Sequence, residues 1–380
     1  MLRRDFIRIA SLSVVGSALH PWEAKAGGGE NVRFGLLTDV HYADTNSRGA
    51  RVYRDSDEKT TDFVNVCNAR GVDFVIETGD FKDAGSGEAE TLAFLGTIEG
   101  VLQGFNGPTY HVLGNHDMDA ISKSQFLANV TNTGIDSAAK HYSFDVKGVH
   151  FVVLDANYES DGTEYDHGNF DWTDANIPQA QLDWLSADLA ATRGPIIVFC
   201  HHLLGGDGKR SVDVKNAPAV RTVLEKSGKV LAVFMGHHHS GDYTQVNGIH
   251  YYTLKGAITG TYPANNAFAV VEITPGDKIT IDGYGNVADR NLEKAGSLPP
   301  DTIELKPASW DASNHRRVWW DSSDALWFNY DSAETRSTSR QQWQWFDIGT
   351  AWISSVPAGH EVVSSSLVFH DASRNGSVDS

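Results

Sequence analysis

VLAVFMGHHH, residues 230–239, sets an unbroken apolar run against three consecutive histidines. Six apolar residues closed by a glycine fit a short strand buried on both faces, as in parallel sheets. The histidines then fall at the strand's C-terminal end, the edge where open α/β sheets bind their ligands. On extended backbone, His237 and His239 point the same way.

The same arrangement recurs four times upstream: FGLLTDVH at 34–41, FVIETGD at 74–80, YHVLGNHD at 110–117 and PIIVFCHH at 195–202. Each is an apolar strand ending in polar residues. Alone, a G-D is a turn and a strand-end histidine is a surface residue. Five such ends in order can meet in space, and they make Asp39, His41, Asp80, Asn115, His201, His237 and His239 candidate metal ligands. Imidazole suits Mn, Fe and Zn, whereas a calcium cage is nearly all oxygen. The expected cofactor is therefore a pair of divalent ions, Mn favoured, with Fe and Zn as alternatives. Two such ions about 3.5–4 Å apart clamp a phosphoryl group, activate a water for in-line attack and stabilise the leaving oxygen.

Between these strands the spacing predicts helices over 57–69, 88–102, 178–192 and 217–227. A hairpin is expected over 141–146 and 149–155, turning at Lys147-Gly148. Residues 243–246, 249–254, 268–273 and 278–281 read as an antiparallel β region. Strands alternating with helices and followed by hairpins give the α/β class, a sandwich with mixed sheets. This domain is read as 30–290, followed by a linker over 291–310 and a β-rich segment over 311–380 that is an incomplete domain. Within that segment 345–371 reads as strands around the turn Pro357-Ala358-Gly359.

Composition narrows the partners. The chain has 380 residues, 41% of them apolar, and a formal net charge of −18, which gives no nucleic-acid surface. Cys67 and Cys200 sit in apolar runs and read as buried thiols, not as a disulfide framework. Arg3-Arg4, the mildly apolar run 7–19 and Ala24-Lys25-Ala26 have the parts of an export signal. The run is too short for a membrane span. RRDFIR resembles the twin-arginine signal, which exports folded proteins, with cleavage expected after Ala26 and a periplasmic or extracellular destination.

The five metal-type motifs resemble those of the calcineurin-like metallophosphoesterases. The resemblance implies a four-layer α/β/β/α sandwich. It further implies that Asp39, His41 and His239 bind one ion, that Asp80 bridges, and that Asn115, His201 and His237 bind the second. His116 becomes the general acid, oriented by Asp117, and His202 and His238 become candidate pocket-wall residues for substrate. Asp83 stands where purple acid phosphatases carry a tyrosine, so a tyrosinate–iron site is not implied. Over 33–285, stretches such as FGLLTDVHYAD, QLDWL and YYTLKGAI are similar to the Mn-dependent ADP-ribose/CDP-alcohol diphosphatases, which often have Gln in place of His41. QQWQWFDIG and VPAGHEVVSSSLVF resemble the opening of DNRLRE-type β-sandwich modules, for which carbohydrate or a cell surface is the expected contact.

The expectation is a secreted phosphohydrolase acting on phosphodiesters or phosphoanhydrides, with a small nucleotide-like substrate. A phosphomonoesterase is the alternative within that class. A non-catalytic binding protein on the same fold is the alternative of another class, and it is disfavoured because every ligand position and His116 holds a competent residue.

Overall fold

The computed structural model describes residues 30–292 and the backbone of four short strands beyond them. Two compact units divide the chain, Met1–Pro300 and Asp301–Ser380. In the second, Arg317–Trp320 pairs antiparallel with Leu326–Asn329, and Ser337–Thr338 with Gln341–Gln342. The N-terminal segment 1–29 and the strands read over 345–371 lie outside the described residues.

The first unit is built on two six-stranded sheets. One contains β1 (Val32–Leu37), β2 (Phe74–Glu77) and β3 (Thr109–His111), with β10 (Ala267–Thr274), β11 (Lys278–Gly285) and β12 (Arg290–Leu292), in the order β12-β11-β10-β1-β2-β3. The other contains β4 (Tyr142–Val146), β5 (Val149–Leu154), β6 (Ile196–Cys200), β7 (Val230–Met235), β8 (Asp242–Val246) and β9 (Ile249–Thr253), in the order β4-β5-β6-β7-β9-β8. The central pairs β1–β2, β2–β3, β5–β6, β6–β7 and β7–β9 are parallel.

Three apolar layers hold the four structural layers together. Phe34, Phe74, Phe151, Phe199 and Phe234 belong to the layer between the sheets and have no exposed surface. Phe34 stands edge-on to the rings of Phe151, Phe199 and Phe234 at 5.6–5.8 Å and stacks on Phe74 at 5.1 Å. A second layer joins the first sheet to α1 (Ser56–Arg70) and α2 (Glu88–Leu102), through Leu37, Phe63, Cys67, Leu95 and Ile98. A third joins the second sheet to α4 (Gln179–Ala191) and α5 (Ala217–Ser227), through Leu182, Leu185, Val220 and Leu224. The α/β/β/α order is thus present. Both cysteines are buried free thiols, and burial pushes that of Cys67 up to about 12.

Three features depart from the sequence reading. The four strands expected as one antiparallel region are two hairpins on different sheets: β8–β9 joins β7, while β10–β11 joins β1. Periodicity reads a strand's faces but not its partner. A short helix, α3 (Lys123–Ala128), was also missed. Ser122 caps it by accepting from the Gln125 N–H, while the Gln125 side chain accepts from the Ser122 N–H at 2.8 Å. β12 extends the first sheet to Leu292.

Because one ring contacts three others across the sheet interface and a fourth on its own sheet, Phe34→Ala should cost about 3–5 kcal/mol of stability. Phe34→Leu should cost distinctly less. Chemical denaturation of the two variants checks this, and equal small losses would mean that the ring row does not hold the sheets together.

Candidate metal centre

All the candidate ligands lie on loops leaving the C-terminal ends of parallel strands: β1, β2, β3, β6 and β7. The turns there are tight and backbone-strained. Asp39, His41, Asp80 and His237 all have φ between 48° and 66°, a region that non-glycine residues seldom enter. Such strain persists only where surrounding contacts fix it, and it clusters at functional sites. The contacts are visible: Asp39 N–H donates to Gly79 O at 3.0 Å and His41 N–H to Asp80 O at 2.8 Å. The His237 N–H lies 3.0–3.1 Å from both Asp39 oxygens.

Two glycines are required by close approach. A Cβ on Gly114 would run into the backbone N and carboxylate of Asp80. One on Gly236 would meet Thr38 Oγ1, Asp39 Oδ2 and His201 Nδ1. This explains physically why a glycine precedes Asn115 and His237.

The side chains converge in two groups that share one carboxylate. Asp39, His41, Asp80 and His239 present ligand atoms all within 4.8 Å of one another, and so do Asp80, His201 and His237. In the first, His239 Nε2 is 3.1 Å from Asp39 Oδ1 and 3.2 Å from His41 Nε2. In the second, His201 Nε2 is 3.2 Å from Asp80 Oδ2. His41 Nε2 approaches that same oxygen at 3.5 Å, while the other oxygen of Asp80 accepts the His116 N–H at 2.8 Å. His201 Nδ1 faces Thr78 O at 2.9 Å, which turns Nε2 towards Asp80.

Two of these atoms lack a hydrogen-bond partner despite being buried: Asn115 Oδ1 and His237 Nε2. Buried polar atoms are normally satisfied. An orphaned imidazole nitrogen and an orphaned amide oxygen beside a carboxylate shared by two imidazole-rich groups fit a pair of divalent ions.

The charges read the same way. Burial alone would lower His41 and His201, but the neighbouring Asp39, Asp80 and Asp83 outweigh it, raising His41 to about 9 and His201 to about 10. Burial likewise works against ionisation of Asp39 and Asp80, and the histidines overcome it and hold both well below the ordinary carboxylate value. His237, desolvated and facing His201, is pushed down to about 3.

His116 lines a cavity of about 310 Å³ together with Asp80, Asn115, His237 and His239. Its Nδ1 is 2.6 Å from Asp119 Oδ2 and 3.9 Å from Asp83 Oδ1. Asp117 is therefore not the group that orients the ring, as expected from sequence. Its carboxylate turns inward and accepts the N–H groups of Asp80 and Phe81, each at 3.0 Å, and of Gly114 at 2.8 Å. It braces the two loops that carry Asp80 and Asn115. Asp119 was missed, although a residue three positions on in a tight turn is a natural partner.

His202 and His238 are also corrected: neither lines the cavity. His202 is wholly buried against His237, ring centres 4.5 Å apart, and burial holds it neutral. The wall is instead Arg51, Phe170, Trp172 and Val212. Trp172 is 43% exposed and its ring centre is 5.5 Å from that of His237. Residues 170 and 172 sit in a long connection between β5 and α4 whose fold no short motif announces.

Comparison with known proteins places this geometry. A manganese-dependent ADP-ribose/CDP-alcohol diphosphatase from Oryza sativa subsp. japonica is 26% identical over 301 residues, spanning 68% of this chain and 93% of the relative. A probable cyclic nucleotide phosphodiesterase from Rhodopseudomonas palustris is 29% identical over 217 residues, spanning 55% of this chain and 72% of the relative. The crystal structure of a dimetal phosphatase from Danio rerio shares the fold with a TM-score of 0.61 at 24% identity, covering 70% of this chain and 99% of that one. The profile of the calcineurin-like phosphoesterases matches residues 32–241, from the first strand of the first sheet to the loop after the triple histidine, and the chain belongs to that family of hydrolases.

Proposed function

We propose that the chain hydrolyses a phosphoanhydride or phosphodiester bond in a small nucleotide-like substrate. In this reading Asp39, His41 and His239 hold one divalent ion and Asn115, His201 and His237 a second, with Asp80 shared between them. The observation that carries it is the pair of ligand groups meeting at one carboxylate. When bound, the ions supply positive charge for the phosphoryl oxygens and for activating a water.

The chain's own residues do the rest. Asp80 is fixed by the His116 N–H on one oxygen and turns the other to both groups. His116 keeps Nδ1 on Asp119, which leaves Nε2 for the substrate. Burial favours the neutral ring, but Asp80 and Asp119 outweigh it and raise the affinity of His116 for its proton. A protonated imidazole at the cavity wall is placed to donate to a departing oxygen. Manganese is the favoured ion, supported by the imidazole-rich donor set and by the name of the rice relative. The cavity wall favours a nucleotide over a bare phosphate monoester. Trp172 offers a ring face to a base, and Arg51 a fork of donors to a second phosphate. The cyclic nucleotide relative supports a diester as the second substrate class.

Export through the twin-arginine route remains part of the proposal and rests on Arg3-Arg4 and the segment behind it. Contact of the C-terminal segment with carbohydrate or a cell surface rests on the sequence likeness of that segment alone.

A substrate panel with added manganese tests the reaction. ADP-ribose, CDP-choline, 3′,5′-cyclic AMP and bis-p-nitrophenyl phosphate should all be turned over faster than p-nitrophenyl phosphate. Preference for the monoester would overturn the assignment.

Ion uptake has a pH signature of its own. In the ion-free chain His41 and His201, at about 9 and 10, hold protons near neutrality. Coordination requires the neutral ring, so loading near pH 7.5 should expel about two protons per chain. Affinity should strengthen as pH rises towards those values and weaken as it falls. Calorimetry of manganese binding in buffers of differing ionisation enthalpy reads the number directly, and a value near zero would remove both rings from the ligand set.

A further inference from the structure

Lys82 is wholly buried. It lies between Asp80 and Asp83, on a loop zipped to the first metal-type motif: Tyr42 N–H donates to Phe81 O at 3.2 Å and Asp83 N–H to Tyr42 O at 3.0 Å. A lysine stem can follow apolar surface with its head in water, but here the head is inside too. A buried ammonium requires partners, and its geometry names them. Nζ donates to the carbonyl oxygen of His116 at 2.5 Å. Four carboxylates act on its charge, those of Asp117, Asp119, Asp83 and Asp80.

We infer that Lys82 is the positioning residue of His116: its ammonium fastens the backbone of the 115–118 turn so that the ring, held on Asp119, faces the cavity. The inference rests on the proton-donor role given to His116 above and adds a residue to it. The turn has three ties to the Asp80 loop. Asp117 accepts from Asp80 and Phe81, the His116 N–H is held by Asp80, and the His116 carbonyl is held by Lys82. The first two also fix the proposed ion ligands. The third touches no ligand atom and acts at the peptide that leaves His116. Its positive charge also lies among four carboxylates, so it partly offsets the field that divalent ions feel. Removing it should therefore leave ion binding as tight as before, or tighter, while loosening the ring. A lysine that merely supported the scaffold would lose both together.

The test is a double-mutant cycle on the full chain with Lys82→Met and His116→Ala, read in single turnover on the p-nitrophenyl and methyl diesters of one nucleotide. Misplacing a catalytic group by about 1 Å costs up to about 10²-fold. Lys82→Met should slow the methyl diester by about 10–100-fold and the nitrophenyl diester far less, because nitrophenolate departs without a proton. In the His116→Ala background the same change should cost nothing further, and manganese titration of Lys82→Met should show two ions bound at least as tightly as in the parent. Losses that multiply across the cycle, weakened manganese binding, or a Lys82→Met variant with unchanged rates would each overturn the inference. A His116→Ala variant without any leaving-group-dependent loss would overturn the proton-donor reading, and this inference with it. If circular dichroism shows Lys82→Met unfolded, Lys82→Leu, which also removes the donor to the His116 carbonyl and has a shorter stem, carries the same cycle and is judged by the same outcomes.

Discussion

The site depends on keeping the carboxylate of Asp80 ionised where there is almost no water. Its side chain is 1% exposed, and removing a carboxylate from water costs several kcal/mol unless the charge is answered. Without ions the answer comes from protonated imidazoles, His201 at 3.2 Å and His41 at 3.5 Å. In the proposed ion-bound state it would come from the ions, and the same rings would then give up their protons. The carboxylate thus sets the protonation of everything around it. It also sets geometry: Asp80 is in left-handed backbone, and its loop is pinned by Asp117.

That carboxylate can reach histidines from the second sheet only because the two sheets are held at a fixed spacing and offset. Asp39, Asp80 and Asn115 come from the first sheet, and His201, His237 and His239 from the second. The row of phenylalanines between them is a rigid spacer, with Phe34 of one sheet set against three rings of the other. Core packing and coordination geometry are therefore coupled. A change in ring volume far from the ligands moves one half of the ligand set relative to the other.

Much of this was legible in the chain. The apolar runs 32–38, 74–77, 195–200 and 230–235 each predict a buried strand, and the aspartate or histidine soon after each is visible by eye. Strand pairing was not legible: β8–β9 and β10–β11 look alike in sequence and go to different sheets, because the partner of a hairpin is chosen by tertiary packing. At the site the metal-type side chains stood out because histidine and aspartate after an apolar run are unusual. The orienting residues did not. Asp117 and Asp119 are both acids within three positions of His116, and only the direction of the turn decides which one meets the ring. Arg51 and Trp172 lie on irregular connections, where no period constrains the reading.

Three fully or nearly buried lysines share a logic that composition conceals in a chain of net charge −18. Each inserts its ammonium beneath a different loop around the cavity. Lys59 donates to the carbonyls of Ala257 and Gly260 at 2.7 and 2.6 Å, and that stretch in turn pairs with the backbone beside Arg51. Lys123 holds Asp155 at 2.6 Å and the Asn157 carbonyl at 2.8 Å, at the root of the connection that carries Phe170 and Trp172. Lys82 holds the His116 carbonyl. Irregular loops cannot satisfy their own carbonyls as helices and sheets do, and water must be kept from a site that works by electrostatics. A buried ammonium meets both demands, because it offers three donors from one flexible stem and fills the space that water would take. The cost of burying its charge is offset only in part by nearby carboxylates, which an acidic chain has in excess: burial still lowers Lys59 to about 8 and holds Lys82 below the ordinary lysine value. The negative balance thus supports the internal cations that hold the cavity's loops in place, in addition to keeping the surface soluble.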